Sequence, residues 1–203
     1  MAKLHFIHGC MSASKSSKLI IDRYNFVTNG VSVLVMRPSK DTRIPGPIIR
    51  SRMGIECPCV VRDNLNVREI LRLKDSSADI YMIDEIHFFT AEDIDNLVTL
   101  ADRHDKLVFT YGLRVDAFGR LFPASQRLVE AGAKMQELKT NCQVLGCSAS
   151  ATHQLRFRNG IVVNDGPQIK VDDGSEEAFK SVCRKHWGEF FHEGRRMNDG
   201  LWP

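Results

Sequence analysis

Gly9-Cys10-Met11-Ser12-Ala13-Ser14-Lys15-Ser16 is the stretch on which the reading of this chain turns. It follows the phosphate-loop pattern G-x-x-x-x-G-K-[ST], with Ser14 standing where the second glycine belongs. Leu4 to Ile7, just before it, is an apolar run of strand length. Just after it, Leu19, Ile20, Tyr24 and Val27 recur at helical spacing between Ser17 and Val27. A strand, a tight loop and a helix N-terminus in that order offer backbone N–H groups and a positive dipole end to an anion. In such a loop Lys15 contacts the β- and γ-phosphates and the Ser16 hydroxyl serves Mg²⁺. Serine is the smallest polar substitute for the missing glycine, and its hydroxyl can itself donate to a phosphate oxygen.

Outward from the loop, apolar runs recur at Val31–Met36, Ile80–Ile83 and Leu107–Tyr111, with helical patterns such as Ala91–Arg103 between them. Continuous apolar strands alternating with helices predict an α/β fold with a parallel sheet covered on both faces. Asp84-Glu85 closes the third run at the strand end where open α/β sheets bind ligands. This is a Walker B arrangement, with Asp84 serving the metal and Glu85 left to face an acceptor hydroxyl. Thr90-Ala91-Glu92-Asp93 opens a helix shortly afterwards.

After about residue 140 the texture changes. Cys142 and Cys147 form C-x₄-C, and Cys183 with His186 forms C-x₂-H, the composition of a tetrahedral structural Zn²⁺ site. Arg158-Asn159-Gly160 and Asn164-Asp165-Gly166 read as hairpin-type turns. We therefore expect residues 1–140 to form a nucleotide-binding core, 141–187 a zinc-binding lobe, and 188–203 a flexible tail. Cys57-Pro58-Cys59 has no partner pair nearby and reads as structural, while Cys10 is a candidate for oxidative inactivation.

With 203 residues, 43% hydrophobic and 26% charged, the chain has the makings of a soluble globular protein with a sizeable core. A net charge of +3 is too small to argue for nucleic acid. No apolar run approaches the roughly 20 residues that span a bilayer, and the first residues do not form a signal segment, so a cytoplasmic protein is expected.

The motifs also occur in a specific order. After the phosphate loop come Asp41-Thr42-Arg43, Ser51-Arg52-Met53-Gly54, Asp84-Glu85-Ile86-His87-Phe88 and Tyr111-Gly112-Leu113-Arg114. Glu137-Leu138-Lys139-Thr140-Asn141-Cys142 and Ser181-Val182-Cys183-Arg184-Lys185-His186 complete the set. In this order and spacing the chain resembles the type II thymidine kinase family, up to about residue 187. The resemblance implies a RecA-like P-loop core, a zinc-stapled β lobe carrying a "lasso" loop, and ATP-dependent phosphorylation of the 5′-hydroxyl of thymidine and deoxyuridine. It implies Glu85 as catalytic base. It places ATP on Gly9, Cys10, Met11, Ser12, Ala13, Ser14, Lys15 and Ser16 and on Asp84, Glu85, Ile86 and His87, with Mg²⁺ on Ser16 and Asp84. Met11, Phe88, Phe118 and Phe179 would face the nucleoside under a lasso running from about Asn159 to Lys180. A structural Zn²⁺ on Cys142, Cys147, Cys183 and His186, a homotetramer, and feedback inhibition by thymidine triphosphate are implied as well.

The chain departs from the family pattern at several positions. Ala117, with Phe118 after it, stands where a phenylalanine is usual, and Phe179 replaces the lasso tyrosine. Asp172-Asp173 replaces a glycine pair, and His87 a glutamine. The Cys142–Cys147 spacing is wider than the usual pair. Rival readings are an inactive homologue with a regulatory role, suggested by Ser14, Ala117 and Asp172-Asp173, and a nucleic-acid-dependent ATPase, because Asp84-Glu85-Ile86-His87 spells a DExH box. A zinc-ribbon nucleic-acid module would need basic and aromatic interleaving that this lobe lacks.

Overall fold

The computed structural model describes residues 3–73, 77–168, 177–193, 196–197 and 200–202. Its centre is a six-stranded sheet of β1 (Leu4–His8), β2 (Val33–Pro38), β5 (Val60–Arg62), β6 (Ile80–Ile83), β7 (Leu107–Gly112) and β8 (Lys134–Glu137). The spatial order is β5-β2-β6-β7-β1-β8, and every pairing is parallel. The four residues of β6 are all buried, as expected of a strand covered on both faces.

One face packs Phe6, Tyr81, Ile83 and Val108 against α3 (Ala91–Arg103) and α4 (Pro123–Glu130). The other packs Ile7, Val35, Met82 and Tyr111 with α1 (Lys15–Thr28) and a short ribbon of β3 (Ile48–Arg50) and β4 (Glu56–Pro58). Cys57 and Cys59 are free thiols buried in that second core, the structural place expected of them. A single helical turn, α2 (Val67–Ile70), lies between β5 and β6. α3 begins with a reciprocal cap, in which Thr90 Oγ1 accepts from the Asp93 amide and the Asp93 carboxylate accepts from the Thr90 amide. That cap leaves Asp84-Glu85 out of the helix start.

The remaining elements form the lobe: β9 (His153–Arg158), β10 (Ile161–Val162), β11 (Glu177–Val182) and α5 (Arg184–Glu193). The strands are antiparallel in the order β10-β9-β11. Asn159 and Gly160, at φ 51° and 74°, make the tight turn expected between β9 and β10. Asn164-Asp165-Gly166 lies instead in irregular chain.

The boundary expected at residue 188 is corrected. Gly188–Glu193 continues α5, and Phe190 is fully buried against Phe157. Trp202 stacks edge-on to Phe157, and the Leu145 amide donates to the Leu201 carbonyl. Of the expected tail, Phe190, Phe191, Met197, Leu201 and Trp202 thus belong to or pack against the apolar core of the lobe. Burying an aromatic as fully as Phe190 contributes roughly 2–3 kcal/mol. Asp172-Asp173 lies outside the described residues.

Candidate functional site

The site is built where β1, β6 and β7 end. β7 lies between β1 and β6, yet the two loops that leave the outer pair meet over it. Ser16 Oγ donates to Asp84 Oδ2 at 2.8 Å, which joins the start of α1 to the end of β6. Gly112 ends β7 beneath them, and a Cβ there would come within 2.7 Å of the Ile86 side chain. Gly9 answers a similar constraint, because a Cβ would meet the Leu138 carbonyl oxygen at 2.4 Å.

Ser14 sits at φ 56° and ψ 31°, the left-handed region that glycine enters at no steric cost. The loop therefore keeps its backbone shape although the glycine is gone. Its side chain makes no capping bond, leaving the first-turn amides and the positive end of α1 for an anion. The Lys15 ammonium is buried and donates to the carbonyls of Gly9 at 3.2 Å and Cys10 at 2.8 Å. Burial pushes its pKa down, while Glu85 and Asp84 oppose the shift. The Cys10 thiol is buried and pushed up to about 11, which makes it a poor nucleophile and counts against its reading as an oxidation site.

The two carboxylates are held differently. Burial and the neighbouring Glu85 push Asp84 up to about 7, against hydrogen bonds from Ser16 and the Glu85 amide. Burial also opposes charge on Glu85, but the Arg43 guanidinium, His87 and Lys15 outweigh it and hold the carboxyl down near 2. Arg43 bridges two acids, with Nε on Asp41 Oδ1 at 2.7 Å and Nη2 bonded to Glu85 Oε1. Glu85 itself sits at φ 48°, an unfavourable angle for a non-glycine residue that re-aims its side chain after β6. Burial lowers His87 to about 4, so its ring is neutral. Its Nδ1 accepts from the Leu113 amide, which leaves the proton on Nε2.

These groups line a single cavity of about 500 Å³. Met11, Ser12, Ser14, Lys15 and Ser16 line it from the loop, and Asp84, Glu85 and His87 from the end of β6. Phe88, Phe118 and Phe179 line it too, so the residues expected to face phosphate and those expected to face nucleoside share one space. Gly9, Cys10, Ala13 and Ile86 do not line it, and Ile86 is a core residue. Sequence reading missed Phe122, Gln154 and Arg156 in the wall, and also Arg37, which is buried and donates to the carbonyls of Asp41, Ile44 and Gly46. Arg37 thereby shapes the loop that carries Arg43. An arginine at the end of a buried strand was the available signal.

In the lobe, the ligand atoms of Cys142, Cys147, Cys183 and His186 all lie within 4.8 Å of one another. His186 Nδ1 is 3.3 Å from Cys142 Sγ and 3.5 Å from Cys183 Sγ. Tetrahedral bonds to sulfur and nitrogen place such atoms about 3.5 Å apart, so the donor set fits a zinc ion. The wider Cys142–Cys147 spacing still delivers its sulfur.

Among the described residues no helix is long and apolar enough to cross a membrane. The family model described as "Thymidine kinase" matches residues 2–187. A thymidine kinase of Photorhabdus laumondii is 36% identical over 200 residues, covering 97% of each chain. Those of Enterobacteria phage T4 and Shewanella oneidensis are each 35% identical, covering 93% and 94% of this chain and 97% and 98% of their own.

Proposed function

Since the chain belongs to the thymidine kinase family, we propose that it transfers the γ-phosphoryl group of ATP to the 5′-hydroxyl of thymidine, and of deoxyuridine, in nucleotide salvage. The observation that carries this reading is the shared cavity, in which Glu85 lies among residues of the phosphate loop and an aromatic wall. The products are thymidine monophosphate and ADP.

Lys15 and the first-turn amides of α1 hold the phosphates. Ser16 and Asp84, hard oxygen donors already 2.8 Å apart, would hold Mg²⁺, which neutralises charge on the phosphates when bound. Glu85, ionised at neutral pH, orients the 5′-hydroxyl and accepts its proton late in transfer. Its low pKa in the free protein reflects Arg43. A guanidinium drawn toward the transferring phosphoryl would loosen that hold and make Glu85 a stronger base. Met11, Phe88, Phe118 and Phe179 enclose the base, selecting by shape.

The further assignments are zinc in the four-residue cluster, a homotetramer, feedback inhibition by thymidine triphosphate, and a cytoplasmic location. An apolar stripe of Ile21, Tyr24 and Val27 on α1, each at least 44% exposed, supports self-association.

A nucleoside panel with labelled Mg-ATP tests the reading, and thymidine and deoxyuridine should be the acceptors. Glu85→Gln should lower kcat by about 10²- to 10⁴-fold with ATP binding retained. Nucleic-acid-dependent ATP turnover without thymidine, or full activity in the Gln variant, would overturn it.

A further inference from the structure

The wall of the cavity between Asp116 and Arg120 is a compact turn. Asp116 Oδ1 accepts from the amides of Phe118 at 2.9 Å and Arg120 at 2.8 Å, which fixes the turn internally. Its inner side presents Ala117 and Phe118 to the cavity. Its outer side rests on the lobe, where Phe191 lies 6.4 Å from the Phe118 ring and Trp187 makes the direct bond to the turn's backbone. Trp187 Nε1 donates to the Ala117 carbonyl at 3.0 Å, and the Trp187 ring lies under Gly119 so closely that a Cβ there would stand 3.2 Å from it.

The indole is itself held in place. It stacks on His153, at 4.8 Å and 26°, and on Phe191, at 4.6 Å and 14°. Its backbone amide donates to the carbonyl of Cys183, and the next residue back is His186, so two members of the metal-binding cluster fix its start. A rigid chain of contacts thus runs from the cluster through the indole to the cavity wall.

We propose that Trp187 is a positioning residue for nucleoside binding, setting the Ala117–Gly119 turn from the far side of the cavity wall. The inference rests on the nucleoside occupying this cavity. Ala117 leaves the wall with little side chain of its own, so its position depends on what supports its backbone. The phosphate end is served by different residues, and the effect should be confined to the nucleoside.

Steady-state kinetics on Trp187→Phe and Gly119→Ala test this, together with amide hydrogen exchange. Trp187→Phe keeps a ring to stack but loses the N–H donor. Gly119→Ala disturbs the same contact from the opposite side, away from the metal cluster, and at φ 76° it strains the turn itself, so it serves as the comparison for Trp187→Phe. One such hydrogen bond corresponds to about a fivefold change, so thymidine KM should rise about fivefold in each while ATP KM stays within twofold. The amides of Phe118, Gly119 and Arg120 should exchange faster, with zinc content unchanged. The exchange measurement needs no substrate, so it stands even where thymidine fails as the acceptor. Unchanged exchange at these three amides in Trp187→Phe overturns the proposal, as does a thymidine KM within twofold in that variant or an equal rise in both KM values.

Discussion

Ser14 and Glu85 hold φ angles of 56° and 48°, a region L-residues avoid, and they flank the same cavity. Each angle costs on the order of 1 kcal/mol, which the surrounding loop contacts must offset. At Ser14 the cost has a direct test. Ser14→Gly removes the Cβ without changing the backbone path; the relief of strain is partly offset by a freer unfolded chain, so Tm should rise by up to about 2 °C with no loss of ATP affinity. A lower Tm would mean that the serine hydroxyl contributes more than the strain. The phosphate loop was legible in the sequence because its function fixes residue types at fixed spacing. The structure adds why one of those types can change: the backbone angle is what the loop needs, and glycine only makes it easier.

The pairing of β9 with β11 shows what sequence reading cannot reach. Arg156 and Phe179 face one another across the ladder, both on the cavity side. Arg156 Nε and Nη2 each donate to the Glu177 carboxylate at 2.9 Å, and its Nη1 donates to the Pro167 carbonyl at 3.3 Å. The pair therefore ties Pro167 to Glu177, the chain on either side of residues 169–176. Hydrogen bonds from Arg156 lead the effects that hold Glu177 down near 2, against an ordinary 4.5. A depressed carboxylate contributes stability that is complete above about pH 4.5 and lost as pH falls toward 2. Arg156→Met should cost roughly 2–3 kcal/mol at pH 7 and flatten that acid limb, whereas exposed Arg158→Met should cost under about 1 kcal/mol. Equal costs from pH-dependent unfolding curves would show that Arg156 is no more than a surface partner. No local pattern marks this clamp, because it is defined by register between strands some twenty residues apart. α5 was misread for a different reason. The boundary was set at residue 188, while Trp187, Phe190 and Phe191 already carried the helical spacing of a packed face across it.

As a whole molecule, the chain is a parallel-sheet core with a lobe docked across its open end. Strand alternation made the core readable, and cysteine and histidine spacing made the metal cluster readable. The docking was not, because besides the Trp187 ring it runs through scattered polar atoms that no local pattern marks: Gln154 on the Val115 carbonyl, Gln168 on Leu121, and Ser181 Oγ on the Met11 carbonyl at 2.6 Å. Cys183→Ser should reduce bound zinc from about one per chain to near none, and lower Tm by several degrees. Metal analysis and calorimetry on the same preparation check this, and equal zinc content would remove Cys183 from the ligand set. The Ser181–Met11 bond has a consequence for how such a protein diversifies. One strand both carries Phe179, which lines the cavity, and bonds the loop between β1 and α1. Exchange of this lobe between relatives would therefore carry a change in triphosphate handling along with any change in base preference. For evolution and for protein engineering alike, exchanging the whole lobe then differs in kind from substituting Trp187, because only the exchange reaches both ends of the cavity.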